Sequence, residues 1–75
     1  MGIVSQPKKL ILFELRDSPK HGYLIAKNTD LPMGSIYDHL AELVEEGYIE
    51  YTEEGRRKVY NLTKKGELLL EALNN

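Results

Sequence analysis

Three consecutive cations, Arg56, Arg57 and Lys58, stand directly after Gly55 and lead into the β-type run Val59-Tyr60-Asn61-Leu62. Guanidinium and ammonium groups at the tip of a β-turn can reach phosphate oxygens or enter a narrow groove of negative potential. Their alternative use is a solvated turn, paired across the hairpin with Glu53 and Glu54. Upstream, Ser35, Tyr37, Asp38 and His39 crowd together. Ser35, Asp38 and His39 are the residue types of a nucleophilic triad. On one short helix, however, they point in different directions, so Asp38 cannot orient His39 while His39 reaches Ser35. A chain of 75 residues also has little room for a substrate pocket around them, and no catalytic residue is expected.

Ser35 and Tyr37 suit another task. In the first turn of a helix, beside unpaired backbone N–H groups, both hydroxyls can donate to a phosphate. The structural alternatives are a backbone bond within the turn for Ser35 and packing on the preceding helix for Tyr37. Asp38 and Glu42 fall where such a helix would reach base edges, and a carboxylate can accept from cytosine N4. Alternatively Glu42, Glu45 and Glu46 form a solvated acidic face. Lys20, beside His21, and Lys64 complete the candidate anion-binding set.

The elements that must hold these residues follow from periodicity and punctuation. Pro7 suits a first helical turn after Ser5 or Gln6, and Leu10, Ile11, Leu12, Phe13 and Leu15 carry that helix to about Arg16. Ser18-Pro19 reads as the cap and start of a second helix, from about Lys20 to Asn28, with Tyr23, Ile25 and Ala26 inward. A turn through Asn28-Thr29-Asp30-Leu31-Pro32 leads to a third helix over residues 33–46, where Ile36, Leu40, Leu43 and Val44 recur on one narrow face. Gly47 is its left-handed stop. Tyr48 to Glu53 and Arg57 to Leu62 read as the strands of a hairpin turning at Glu54-Gly55, with Ile49, Tyr51, Tyr60 and Leu62 facing the core. Thr63 caps a last helix from Lys64 to about Leu73. The order helix, helix, helix, hairpin, helix predicts an α+β winged helix-turn-helix as one domain over residues 1–75, with residues 53–58 as the wing. The last helix is more apolar than one core requires. Leu69, Leu70 and Leu73 are therefore candidates for a homodimer seam.

Composition narrows the function classes. The chain has 75 residues, 41% apolar, no cysteine and two histidines. That permits one small core, no disulfide staple and no evident metal site. The start Met1-Gly2-Ile3-Val4 lacks the apolar core of a signal peptide, and no apolar run nears ~20 residues, so a cytoplasmic, nucleoid-associated protein away from membranes is expected. Net charge is −2, the wrong sign for a generic nucleic-acid binder, but it is segregated. Residues 28–54 hold eight acids and no Lys or Arg, whereas residues 55–65 hold five cations and no acid. An anionic partner would be met by the second block together with Lys8, Lys9 and Lys20. A protein-interaction module using the acidic 30–54 surface is the competing reading.

The motifs Pro19-Lys20-His21-Gly22-Tyr23, Gly34-Ser35-Ile36-Tyr37, Glu46-Gly47-Tyr48-Ile49 and the run Arg56 to Gly66 come in an order that resembles the PadR-type winged-helix transcriptional regulators, over about Leu10 to Leu70. The resemblance implies a homodimeric, sequence-specific DNA-binding repressor of double-stranded operators, with helix 33–46 in the major groove and the wing nearby. It carries a DNA role to Ser35, Tyr37, Arg56, Arg57 and Lys58, and makes His21-Gly22-Tyr23 mainly a structural signature. Family members usually extend the last helix into a dimerisation region that helps form an effector pocket. With the sequence running to Asn75, a short form with no cofactor and no small-molecule effector is expected.

Overall fold

A computed structural model describes residues 5–74. The elements run α1 (Gln6–Leu15), β1 (Lys20–His21), α2 (Gly22–Thr29), α3 (Met33–Glu45), β2 (Ile49–Glu54), β3 (Arg57–Leu62) and α4 (Lys64–Leu73). The winged-helix order is as the sequence predicts, with one addition. Lys20 and His21 form a short strand before α2, antiparallel to β3, so the sheet has three strands in the order β1-β3-β2. Two residues are too few to leave a periodic signal, and Ser18-Pro19 therefore reads as a helix start when it precedes a strand. The N-cap of α2 is His21, which makes no side-chain cap bond.

The local signals elsewhere hold. Ser5 is the N-cap of α1, with proline in its first turn. Gly47 has φ +84° and ends α3, and Gly55 has φ +63° at the hairpin turn. The β2–β3 register runs from Ile49 opposite Leu62 to Glu54 opposite Arg57.

The core lies where α1, α2 and α3 meet the sheet. Ile36, Leu40 and Leu43, spaced i, i+4, i+7, are all 0% exposed, and they pack with Ile11, Leu12, Leu15, Ile25, Ala26, Ile49, Tyr60 and Leu70. Two expected core residues are outside it. Tyr51 is 40% exposed although its cross-strand partner Tyr60 is 5% exposed. The reason is position: β3 is central in the sheet and β2 is an edge. Tyr23 is 57% exposed, because the buried face of α2 is set by Gly22, Ile25 and Ala26 and Tyr23 lies roughly 100° round from its middle.

The start of α4 is tied tightly to the end of α3. The Thr63 hydroxyl accepts from the Gly66 N–H at 3.1 Å and donates to the Gly47 carbonyl at 2.6 Å. The Thr63 N–H donates to the Tyr48 carbonyl at 3.1 Å. Lys65 Nζ reaches the Glu46 carbonyl at 2.7 Å, over the Tyr48 ring, supplying positive charge at the C-terminal end of α3 where carbonyls are unpaired. These bonds fix β3, and with it the wing, relative to α3.

Candidate nucleic-acid interface

The wing tip is built by register. Glu54 faces Arg57 and Glu53 faces Lys58 across the hairpin, yet among the described residues no carboxylate is within ion-pair distance of Arg56, Arg57 or Lys58. All three cations are exposed. The Lys58 ammonium sits 4.6 Å from the centroid of the Tyr51 ring, and Tyr51 in turn leans on Tyr60 at 5.8 Å. Such a contact is favourable for a cation near water and aims Lys58 along the sheet. Burial, with Tyr37 and Tyr51 nearby, pushes the Tyr60 hydroxyl above its ordinary pKa, so it stays a neutral donor.

Facing the wing is the start of α3. Its N-cap is Pro32, which offers no side-chain cap to the first-turn amides. Those N–H groups leave a local positive potential that suits an anion. Ser35 Oγ lies 3.5 Å from the Pro32 carbonyl, at the long limit for a hydrogen bond, and so its hydroxyl is largely uncommitted. Tyr37 is 48% exposed. Its ring lies against the first residue of α2, where a Cβ built on Gly22 would come 2.7 Å from Tyr37 Cε1 and 2.9 Å from its Oη. Glycine at position 22 is what lets the Tyr37 ring lie there, which gives His21-Gly22-Tyr23 its physical meaning.

Apart from Ser35, which does not line it, these parts converge on one groove of about 570 Å³, lined by His21, Gly22, Tyr23, Met33, Tyr37, Tyr60 and the wing cations Arg56, Arg57 and Lys58. Tyr37 and all three wing cations, sought from sequence, are therefore brought together. Tyr23, Met33 and Tyr60 join them unforeseen. Tyr23 and Tyr60 read as core in the sequence, and Met33 as a helix start; the only early signal for Tyr23 was its offset from the buried stripe of α2.

Other expected site residues lie elsewhere. Lys20 Nζ donates to the Glu14 carbonyl at 2.7 Å, with Ser18 oxygens at 3.4 and 3.5 Å and the Glu14 carboxylate at 3.8 Å. Its side chain is only 12% exposed. The expectation of Lys20 as a free phosphate contact is corrected: it closes the C-terminal end of α1, whose last carbonyls need donors. Lys64 is exposed in the first turn of α4, beyond the far end of β3 and roughly 20 Å of extended chain from the wing tip. It lines no part of the groove. Asp38 is exposed on α3, with no ion pair among the described residues.

Glu42 and Glu46 are turned to α1 instead of forming a free acidic face. Lys8 Nζ bridges them at 2.9 and 3.6 Å. Its hydrogen bond holds the Glu42 carboxyl below its ordinary pKa, and the same bond raises that of Lys8. Lys8 is thereby withdrawn from the set of free cations, and the acidity of α3 is partly cancelled. Leu70 also needs correcting. At 4% exposure it belongs to the core, while Leu68, at 54%, faces outward from α4 with Leu69 and Leu73 half-buried beside it. Successive residues on a helix differ by about 100°, so neighbours in a leucine run cannot share a face.

Residues 11–72 match the transcriptional regulator PadR-like family. The chain belongs to that family. Its family and fold are those of transcriptional regulators, not of enzymes. A stretch of 35 residues in this PadR-like chain is 46% identical to the transcriptional activator GvpE of Haloferax mediterranei, covering 47% of this chain and 18% of that protein. The fold matches the PcaV transcriptional regulator of Streptomyces coelicolor with a TM-score of 0.90 at 20% identity, over 95% of this chain and 53% of that one. Lactococcus lactis ZitR matches with a TM-score of 0.91 at 17% identity, over 99% of this chain and 53% of that one. The PadR-like chain thus spans about half the length of these two solved proteins. No helix among the described residues is long and apolar enough to cross a membrane.

Proposed function

We propose that this PadR-like chain regulates transcription by binding duplex DNA through the groove between α3 and the wing. The observation that carries the reading is the convergence of Tyr37, the uncapped start of α3 and three unpaired cations on one face. In this reading Ser35, Tyr37 and the first-turn amides meet phosphates at the edge of the major groove. Arg56, Arg57 and Lys58 hold the adjacent backbone or minor groove, and Asp38 filters base edges. Lys64 is a peripheral backbone contact at most.

Because phosphate contacts supply most of the affinity, binding weakens steeply with salt. Replacing Arg56, Arg57 and Lys58 together by Ala should lower duplex affinity at least tenfold and flatten the salt dependence. Unchanged affinity and slope would remove the wing from the interface.

Two copies are proposed to bind a palindromic site, joined through the outer face of α4. The exposed Leu68 supports that seam, with the half-buried Leu69 and Leu73 at its margin, Leu69 also packing on the core. Repression by occupying an operator is the proposed mode, in the cytoplasm and without a cofactor or effector. GvpE is an activator by name, so a promoter–reporter fusion with and without the chain is the assay for the sign. The Lys8 bridge weighs against a protein-interaction module on the acidic surface, because it partly neutralises two of the 30–54 acids, Glu42 and Glu46.

A further inference from the structure

We propose that the α3–wing groove also binds unpaired nucleic acid, stacking an exposed base on its tyrosine rings while the wing cations hold the adjoining phosphates. The inference rests on the functional reading above and extends it to a second class of ligand for the same groove.

Five large apolar side chains of the described structure are conspicuously exposed, and three of them, Tyr23 (57%), Met33 (42%) and Tyr37 (48%), line this one groove. A duplex leaves those ring faces unused. Its bases are already stacked, and it offers a protein its phosphates, sugars and base edges, which a tyrosine meets with its hydroxyl. An unpaired base offers a π-face. Proteins that hold single strands without sequence preference combine a cationic track with aromatic platforms, and both are present here side by side.

The geometry fits that use. The rings of His21 and Tyr23 are nearly parallel, with planes 15° apart and centroids separated by 6.4 Å, so they present their faces in a common orientation. Arg56, Arg57 and Lys58 line the same groove, and a guanidinium can itself stack on a base while bonding a phosphate. The volume, about 570 Å³, is within the ~300–1,000 Å³ that small ligands occupy, which is room for a nucleotide. The groove holds no acidic side chain, so the charge at the site favours a polyanion despite the net charge of −2.

The test is a titration of the full chain with oligodeoxythymidylate at low salt, run beside a mixed-sequence duplex. The chain has five tyrosines and no tryptophan, so stacking registers directly as quenching of tyrosine emission, and anisotropy of a labelled strand gives affinity. The expected result is quenching by the single strand, with a loss of roughly three- to tenfold in its affinity for each of Tyr23→Ala and Tyr37→Ala. Tyr23→Phe should retain single-strand binding, and Tyr23→Ala, at a side chain 57% exposed, should keep the wild-type thermal melt, so that its lost affinity for the oligomer is not a folding defect. Two outcomes overturn the proposal: equal affinity of wild type and Tyr23→Ala for the oligomer, or equal affinity of wild type for oligodeoxythymidylate and for an abasic deoxyribose-phosphate oligomer. Duplex binding without single-strand binding also rejects it and leaves the duplex reading standing. Failure to bind either rejects both.

Discussion

A methyl group on Gly22 would sit 2.7 Å from a ring atom of Tyr37, on another helix. The obstructing atoms are the far end of a half-exposed side chain, so the ring can swing aside at modest cost to the fold. Gly22→Ala should therefore keep the fold, with the melting temperature moved by a few degrees at most, and weaken duplex binding several-fold by displacing Tyr37. The pair should not be additive: Gly22→Ala with Tyr37→Ala should bind no worse than Tyr37→Ala alone. Losses that add in that cycle would mean Gly22 acts by another route. Lys8 makes a second residue-scale case, this time in charge. Its bond to Glu42 depresses that carboxyl below its ordinary 4.5 and raises Lys8 above 10.5. A depressed acid contributes stability above its unfolded pKa and loses it as pH falls through the folded value. A raised base contributes below its unfolded pKa and loses it as pH rises through the folded value. The bridge is thus fully present between the ordinary values of 4.5 and 10.5, and is lost only as pH falls on through the depressed Glu42 value or rises on through the raised Lys8 value. Its energetic worth is small, because the Glu42 and Glu46 side chains are 56% and 47% exposed and water screens the pair. Titration of the Glu42 carboxyl by NMR should show its midpoint move up in Lys8→Gln, and an unmoved midpoint would dismiss the bridge in solution.

The junction of α3 with α4 concentrates short-range signals, and it can be tested as an element. Thr63→Ala removes an N-cap and strips the Gly47 carbonyl of its donor, for an expected loss of about 1–3 kcal/mol. Gly66→Ala should cost at least as much, since its Cβ would overlap the Tyr48 carbonyl oxygen, which is backbone and cannot swing away. Chemical denaturation of the two variants measures both, and a wild-type midpoint for Gly66→Ala would contradict the packing. Thr63, Gly47 and the Ile36-Leu40-Leu43 stripe were legible in the sequence because capping, left-handed stops and helical period act over a few residues. Strand β1 was not, since two residues become a strand only when β3 arrives to pair with them. The partners of Lys8 and Lys20 were hidden for a related reason: which carboxylate or carbonyl an ammonium meets depends on how two helices cross. The wing cations were legible as chemistry, but their union with Tyr23 and Met33 required the approach of α2 and α3 to the hairpin.

The whole domain measures 36 × 24 × 21 Å, while half-sites of a two-fold operator recur at about 34–36 Å, one turn of DNA. In the proposed two-fold mode one copy has the span of one half-site, and its net charge of −2 allows only the local cations to draw DNA in. If all three wing cations meet phosphates, one domain should give a slope of about −2.7 in log affinity against log salt, and a bound pair about twice that. The outer face of α4 decides between these values. Leu68 is 54% exposed, so Leu68→Glu has little to disturb within a single copy, whereas it buries a charge if α4 meets α4. Leu68→Glu should then sediment as a monomer, keep the melting temperature expected of the isolated domain, and bind duplex with half the wild-type salt slope. Leu70→Ala serves as the contrast: buried at 4% exposure, it should lose about 2–5 kcal/mol of stability irrespective of association. A wild type that sediments as a monomer, with a slope that Leu68→Glu leaves unchanged, would dissociate the DNA reading from the dimer and leave the groove to act alone.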